Sequence, residues 1–132
     1  MRTELTITVE KLDEEALSRG RAISGEAGAV VCFLGTVRGI EDARLISAIE
    51  YEAFEKMARH QFHLIFDQAS KRWPLESIRL AHRVGRVPVG EASIWVEVAA
   101  SHRQEAFAAC EFTISEMKRL VPIWKHPIFS AA

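Results

Sequence analysis

Between residues 54 and 69 apolar side chains recur at intervals of three and four: Phe54, Met57, Ala58, Phe62, Ile65, Phe66 and Ala69. At about 100° per residue these positions share one face, so the segment predicts a helix whose stripe must be covered by another layer. The covering layer is written downstream. Residues 77–84 and 92–99 have strand character, the second with Ile94, Val96 and Val98 on one face and Trp95 and Glu97 on the other, and the glycine-bounded stretch 85–90 reads as their connection. Trp73-Pro74 ends the helix, because the residue before proline is pushed out of the α region.

Upstream, residues 5–9 alternate apolar and polar as a half-buried strand does, and residues 12–23 read as a short, polar-rich helix. Residues 28–37 contain Ala-Val-Val-Cys-Phe-Leu without polar alternation, which predicts a strand covered on both faces. The polar run 40–44 reads as a loop, and 46–53 as a strand leading into the striped helix. With a last helix from residue 102, the order becomes β-α-β-β-α-β-β-α. This predicts an α+β fold, a mainly antiparallel sheet with helices packed on it. With 132 residues, 48% of them hydrophobic, and no repeat or linker-like tract, residues 1–132 are expected to form one domain.

The 17 Lys plus Arg nearly cancel the 18 Asp plus Glu, leaving a formal net charge of −1. The broad cationic footprint of a nucleic-acid binder is missing. The longest apolar stretch, residues 29–34, is far short of the roughly 20 that span a bilayer, and no export signal is read at the N-terminus, so a soluble, cytoplasmic chain is expected. Cys32 and Cys110 lie far apart in apolar patterns, with no Cys/His metal spacing. They read as small buried hydrophobes; a persulfide carrier would need a cationic neighbour and solvent access.

Against this neutral background the last third of the chain gathers cations. Ser101 and Gln104 form a capping-box pattern, which places a helix start at His102 with free N–H groups beside His102 and Arg103. Ala106, Phe107, Cys110, Ile114, Met117 and Val121 gather into one apolar arc, with Lys118 at its edge, nearly in line with Phe107. A half-buried Lys118 is expected. Either it snorkels to water, or desolvation and neighbouring cations favour a neutral amine suited to base or nucleophile chemistry. Arg103 projects near the middle of the arc and needs either a carboxylate, such as Glu97, or a bound anion. His102 alone at a helix start reads as a surface or hydrogen-bonded histidine, or as an anion contact. Beyond Pro122, Trp124 is expected to anchor the segment and so fix where Lys125 points; taken singly, Lys125 reads as a solvated lysine. Arg38 lies in the glycine-flanked turn Gly35-Thr36-Val37-Arg38-Gly39, either as a surface arginine or as a ligand contact. His82 shares the parity of Ile78 and Leu80 and reads as a satisfied core histidine.

Several of these segments form an ordered set: Gly28-Ala29, Phe33-Leu34-Gly35-Thr36-Val37-Arg38, Tyr51-Glu52-Ala53-Phe54, Met57-Ala58 and His82-Arg83-Val84-Gly85. Gly90-Glu91-Ala92, Ser101-His102-Arg103, Ala106-Phe107-Ala108-Ala109-Cys110 and Lys118 through Pro122-Ile123-Trp124-Lys125 continue it. From about residue 5 to 126 the chain resembles the large, catalytic subunit of molybdopterin synthase, the MoaE family. The resemblance implies an α/β hammerhead fold with an additional small antiparallel sheet. It also implies a sulfurtransferase of molybdenum cofactor biosynthesis, converting cyclic pyranopterin monophosphate to molybdopterin. Sulfur would come from the C-terminal thiocarboxylate of a small ubiquitin-like subunit, in a heterotetramer built on a homodimer of large subunits, with no metal or redox cofactor at this step. Matched position by position, Lys118 and Lys125 take the catalytic places, while Arg38, His102 and Arg103 take those lining the pterin and phosphate pocket. Arginine forks and helix N–H groups suit a phosphate, and ammonium groups suit the charge made when a thiocarboxylate attacks.

The pattern departs after Lys125. Family members continue there with an acidic residue and a longer tail containing glycine and tryptophan, whereas residues 126–132 read His-Pro-Ile-Phe-Ser-Ala-Ala, and Ser115 replaces a commonly acidic residue. Three readings stay open: an active synthase subunit with a rewired pocket edge; a catalytically weakened paralogue that binds or regulates the small subunit; and, from the residues alone, a sensor of a phosphorylated metabolite.

Overall fold

A computed structural model describes residues 1–130, in which the elements follow as β1 (Arg2–Thr8), α1 (Glu14–Arg19), β2 (Ala29–Thr36), β3 (Ile40–Glu41), β4 (Arg44–Ala53), α2 (Glu55–Arg72), β5 (Leu75–Arg83), β6 (Gly85–Pro88), β7 (Ala92–Ala100), α3 (Arg103–Leu120) and β8 (Ile123–Phe129). One sheet has the order β1-β5-β7-β2; β1 and β5 are parallel and the other pairs antiparallel. Its apolar face takes the helices. Ala58, Phe62, Ile65, Phe66 and Ala69 of α2 are buried in one cluster with Ile78, Leu80, Ile94, Val96 and Val98, each large side chain contributing about 1.5–3 kcal/mol by leaving water. Phe54 and Met57, at the start of the predicted stripe, are exposed instead.

The second sheet is built on β4, which pairs antiparallel with β3, β6 and β8. Ile46, Ile49, Tyr51 and Val87 form its core, and Ile123 of β8 packs against both clusters. A mainly antiparallel sheet carrying helices, joined to a smaller antiparallel sheet, is the α+β arrangement that the residue pattern and the resemblance implied.

Several elements differ from expectation. Residues 40–44 are a hairpin rather than a loop: β3 meets the start of β4 across Asp42 and Ala43, whose φ values of 51° and 60° match a two-residue type I′ turn. The 85–90 connection contains β6, and the exit after Pro122 is a full strand, β8. Of residues 126–132, where the family pattern departs, 126–129 belong to β8, and 131–132 lie outside the described residues. Helix α1 covers only Glu14–Arg19, started by Asp13 accepting from the Ala16 N–H. No helix among the described residues is long and apolar enough to cross a membrane.

Strand β2 is not covered on both faces. It is an edge strand paired with β7, and Cys32, Phe33 and Leu34 are exposed. Opposite α2 and α3, α1 and its exit reach the sheet over a row of charges instead. Glu4, Arg79, Glu97 and Cys32 stand side by side across β1, β5, β7 and β2. Glu97, fully sealed from water, accepts from Arg21 Nε at 2.8 Å and Arg79 Nη1 at 3.2 Å. Arg79 also donates to Glu4 and to the Leu17 carbonyl. A buried carboxylate survives only with such partners, and they are Arg21 and Arg79, not Arg103.

Candidate active site

The C-terminal end of α3, the His82 end of β5 and the β4–β8 ladder enclose a cavity of about 410 Å³. Ile114, Met117 and Val121 from α3 and its exit form an apolar wall, with Ile94, Ile123 and the Phe33 ring completing it. Gly35 makes room for that corner. A Cβ there would stand 2.6 Å from Ile94 Cγ2 and 3.3 Å from the Phe33 ring, inside van der Waals contact, so a larger residue would push the ring or the β7 side chain. Polar groups enter from several elements: Thr36, Tyr51, His82, Ser93, Lys118 and Lys125.

Lys118 stands in the last turn of α3, next to the buried Met117, where a cation is favoured by the helix dipole. Its side chain is exposed rather than half-buried, and it has no hydrogen-bond or ion-pair partner among the described residues. Lys125 lies opposite Tyr51 in the β4–β8 register. Its Nζ is 3.8 Å from Glu41 Oε1 with half the side chain exposed, a loose pair that adds little stability. The two lysines therefore share a cavity without being tied to a close carboxylate.

His82 is 4% exposed, with Nδ1 2.8 Å from the Arg83 carbonyl oxygen and its ring edge-on to Tyr51, centroids 5.3 Å apart. Burial pushes its pKa below the ordinary value, outweighing the bond to the Arg83 backbone. The expected satisfied core histidine is thus satisfied at one nitrogen. Tyr51, Thr36 and Ser93 were not singled out from the sequence as site residues. Tyr51 and Thr36 lie in matched family segments, which is the available signal; Ser93 sits near the start of β7 without one.

The remaining cations are elsewhere in the single copy. The helix starts one residue later than the Ser101/Gln104 capping box places it: His102, not Ser101, is the N-cap residue of α3 and makes no side-chain capping bond, and its Nδ1 lies 3.9 Å from Glu105 Oε2. Arg103 is exposed, and so is Phe107. The face that α3 buries is Ala106, Ala109, Cys110, Thr113 and Met117, rotated from the predicted arc because Thr113 turns inward and satisfies its hydroxyl on the Ala109 carbonyl at 2.8 Å. That rotation carries Arg103, Phe107 and Lys118 outward together. Arg103 and Lys118 mark opposite ends of α3, roughly 22 Å apart at about 1.5 Å of rise per residue. Arg38 follows β2 as an exposed residue outside the cavity lining.

The cysteines also divide. Cys110 is buried as expected, and desolvation pushes its thiol up to about 11. Cys32 is exposed, contrary to expectation, and its sulfur accepts from Arg21 Nη2 at 3.4 Å. Partial desolvation and then the Glu97 carboxylate still hold that thiol above its ordinary value, so the cationic neighbour does not make the thiolate a carrier needs.

The model of the family described as MoaE protein matches residues 7–120. The Homo sapiens protein named molybdopterin synthase catalytic subunit is 36% identical over 125 residues, covering 95% of this chain and 66% of its own length. The Arabidopsis thaliana protein of the same name is 38% identical over 105 residues, covering 80% of this chain and 53% of its own length. The chain thus spans between about half and two thirds of these curated relatives. The X-ray crystal structure of molybdopterin synthase from Staphylococcus aureus superposes with a TM-score of 0.87 at 31% identity, covering 96% of this chain and 92% of that one.

Proposed function

The chain belongs to the MoaE family, and on that premise we propose that it is the catalytic subunit of a molybdopterin synthase, a cytoplasmic sulfurtransferase that turns cyclic pyranopterin monophosphate into molybdopterin. The observation that carries the reading is the convergence of Lys118 and Lys125 on one cavity with neither held by a close carboxylate. Two ammonium groups at a half-apolar cavity suit a reaction in which negative charge and a proton must be handled near an anionic substrate.

The sulfur donor is the C-terminal thiocarboxylate of a small ubiquitin-like subunit, whose tail reaches the cavity beside Lys118. Its sulfur attacks a side-chain carbon of the pterin and forms a C–S bond. The displaced oxygen leaves with a proton, which Lys118 supplies, and Lys125 steadies the negative charge on the adduct. Water then cleaves the acyl–sulfur bond, returning the donor as a carboxylate and leaving a thiolate on the product; a second donor supplies the second dithiolene sulfur. Arg38, His102 and Arg103 hold the phosphate of the pterin. A single copy keeps Arg103 roughly 22 Å from Lys118, so this assignment calls for the α3 N-terminus of a second large subunit at the cavity, as in a homodimer carrying a small subunit on each copy.

The test is direct: mix the chain with a thiocarboxylated small subunit and the cyclic pterin, and follow the dithiolene product. Product is expected at full rate from wild type and at least about a hundredfold more slowly from Lys118→Ala. A wild type that binds the small subunit but makes no product replaces this reading with the regulatory one. Mixing Lys118→Ala with Arg103→Ala chains tests the shared pocket, because a hybrid dimer regains one intact site; no recovery would refute the sharing, and full activity of Arg103→Ala alone would place Arg103 outside the reaction.

A further inference from the structure

The mechanism above leaves His82 without a task, although it is the most deeply buried ionisable group of the cavity, 4% exposed where Lys125 is half exposed and Lys118 is open to solvent. Its Nδ1 faces the Arg83 carbonyl at 2.8 Å. A carbonyl oxygen only accepts, so Nδ1 carries the hydrogen, and in the neutral ring Nε2 is a bare lone pair. Nε2 has no hydrogen-bond partner among the described residues. Nor is it shut away: the side-chain polar atoms sealed without a partner are Arg83 Nε and Glu105 Oε2. The open direction left to Nε2 is the cavity that His82 lines. No carboxylate lines that cavity, whereas two lysines do, so a second proton on the ring would add a cation with no counter-charge. Burial acts in the same direction. Tyr51, edge-on at 5.3 Å, fixes the ring plane.

We propose that His82 is a substrate-reading residue, whose unprotonated Nε2 accepts a hydrogen bond from an N–H or O–H donor of the pterin and draws that donor-bearing end inward, while the lysines at the mouth face the thiocarboxylate. A cavity with a buried histidine acceptor on one wall, hydroxyls that can either donate or accept, and lysines open to solvent takes a ligand with a donor at one end and negative charge at the other. A pterin phosphate has that polarity. The inference rests on the synthase reading and assigns His82 to binding, not to the chemical step.

Two measurements decide it. In nitrogen-15 NMR of the full chain, His82 is expected to show a protonated Nδ1 and an unprotonated Nε2, with the Nε2 signal moving when cyclic pyranopterin monophosphate saturates the site. A protonated Nε2, or no movement with substrate bound, overturns the proposal without any variant. In steady-state assays, His82→Asn keeps a donor for the Arg83 carbonyl but leaves no acceptor at the place of Nε2, which the shorter amide does not reach. The KM for the pterin should rise on the order of tenfold, with kcat and the KM for the thiocarboxylated subunit unchanged, and His82→Gln should recover part of the loss. A fall in thermal stability with unchanged KM, or a fall in kcat alone, overturns it. No product from wild type removes the synthase reading and this inference together; equal kinetics for wild type and His82→Asn remove this inference alone.

Discussion

On one face of the β1-β5-β7-β2 sheet, Glu97 is sealed from water between Arg21 and Arg79, and Arg79 is shared with Glu4. At the end of the same sheet, on the helix side, Lys118 has no carboxylate, Lys125 has one at 3.8 Å, and His82 leaves a nitrogen unbonded. Similar groups are thus saturated in one place and unsaturated in the other. Where every charge has met its counter-charge, the free energy is already committed to the fold. Where charges are left without a counter-charge beside a cavity, they are open to pairing with a ligand, which is what the proposed function requires of them.

The contrast predicts opposite outcomes for removing a charge from each place. Lys118→Ala should lower kcat by about 10²–10⁴, the usual worth of a positioned proton donor, while changing stability by less than about 0.5 kcal/mol because the side chain is exposed. Product assays and urea denaturation measure the two. A variant that unfolds instead would make Lys118 a structural residue and erase the distinction.

Glu97→Ala is the reverse experiment. It leaves Arg79 buried beside Glu4 alone and Arg21 unpaired, and removing one partner of a buried ion network costs about 3–5 kcal/mol. Arg21 is nearly a third exposed, so water softens its share and the loss should fall at the lower end. Activity per folded molecule should persist. If Glu97→Ala keeps wild-type stability, the row across the four strands is ornament and not structure.

His82 sharpens the comparison through pH. Its pKa is below the ordinary 6.5 in the folded chain, so the unfolded chain binds a proton first as the pH falls. The folded state therefore loses stability from about pH 6.5 downward, by up to about 1.4 kcal/mol per pH unit until the folded pKa is reached. The carboxyls of Glu4 and Glu76, lowered by Arg79 and by Ser24, act later, below their ordinary 4.5. Stability of wild type and His82→Gln should therefore diverge in slope between pH 6.5 and 5. Parallel slopes would mean that the ring is not shielded from protons.

How much of this could be read from the sequence depended on whether the signal was periodic. The α2 stripe from Ala58 to Ala69 and the alternation of Ile94, Val96 and Val98 are periodic, and both packed as expected. On α3 the apolar arc leaves its borders open: the apolar residues alone turn it toward Phe107 and Arg103, whereas the buried Thr113, bonded to the Ala109 carbonyl of its own helix, sets it the other way. Strand β8 was hidden by Pro127, which breaks a central ladder but is tolerated in a strand paired with β4 alone. The pairing of Lys118 with Lys125 was legible because one helix end and its exit place them. The separation of Arg103 from both was equally implicit in the helix length, and the resemblance had drawn them into one pocket without saying how many copies supply it.

The smallest effect concerns a place where strain stands without any ligand to explain it. Ala43 holds φ at 60° in the two-residue turn between β3 and β4, a conformation that crowds its Cβ and that glycine adopts freely. Sequence patterns did not mark the hairpin, since the usual signal there is Asn-Gly or Asp-Gly and the chain has Asp42-Ala43. Ala43→Gly relieves the crowding but gives the unfolded chain more freedom, and the two oppose each other. The αL penalty of about 1–2 kcal/mol for a residue with a Cβ exceeds the backbone freedom gained, usually about 0.4–1 kcal/mol, so a net stabilisation of roughly 0.5–1 kcal/mol is expected. Thermal denaturation with an unchanged KM for the pterin checks it. A destabilised Ala43→Gly chain would show that the turn is held by contacts beyond its own backbone, and the contrast between relieved and retained strain would then extend to the β3–β4 hairpin beside Glu41 and Lys125.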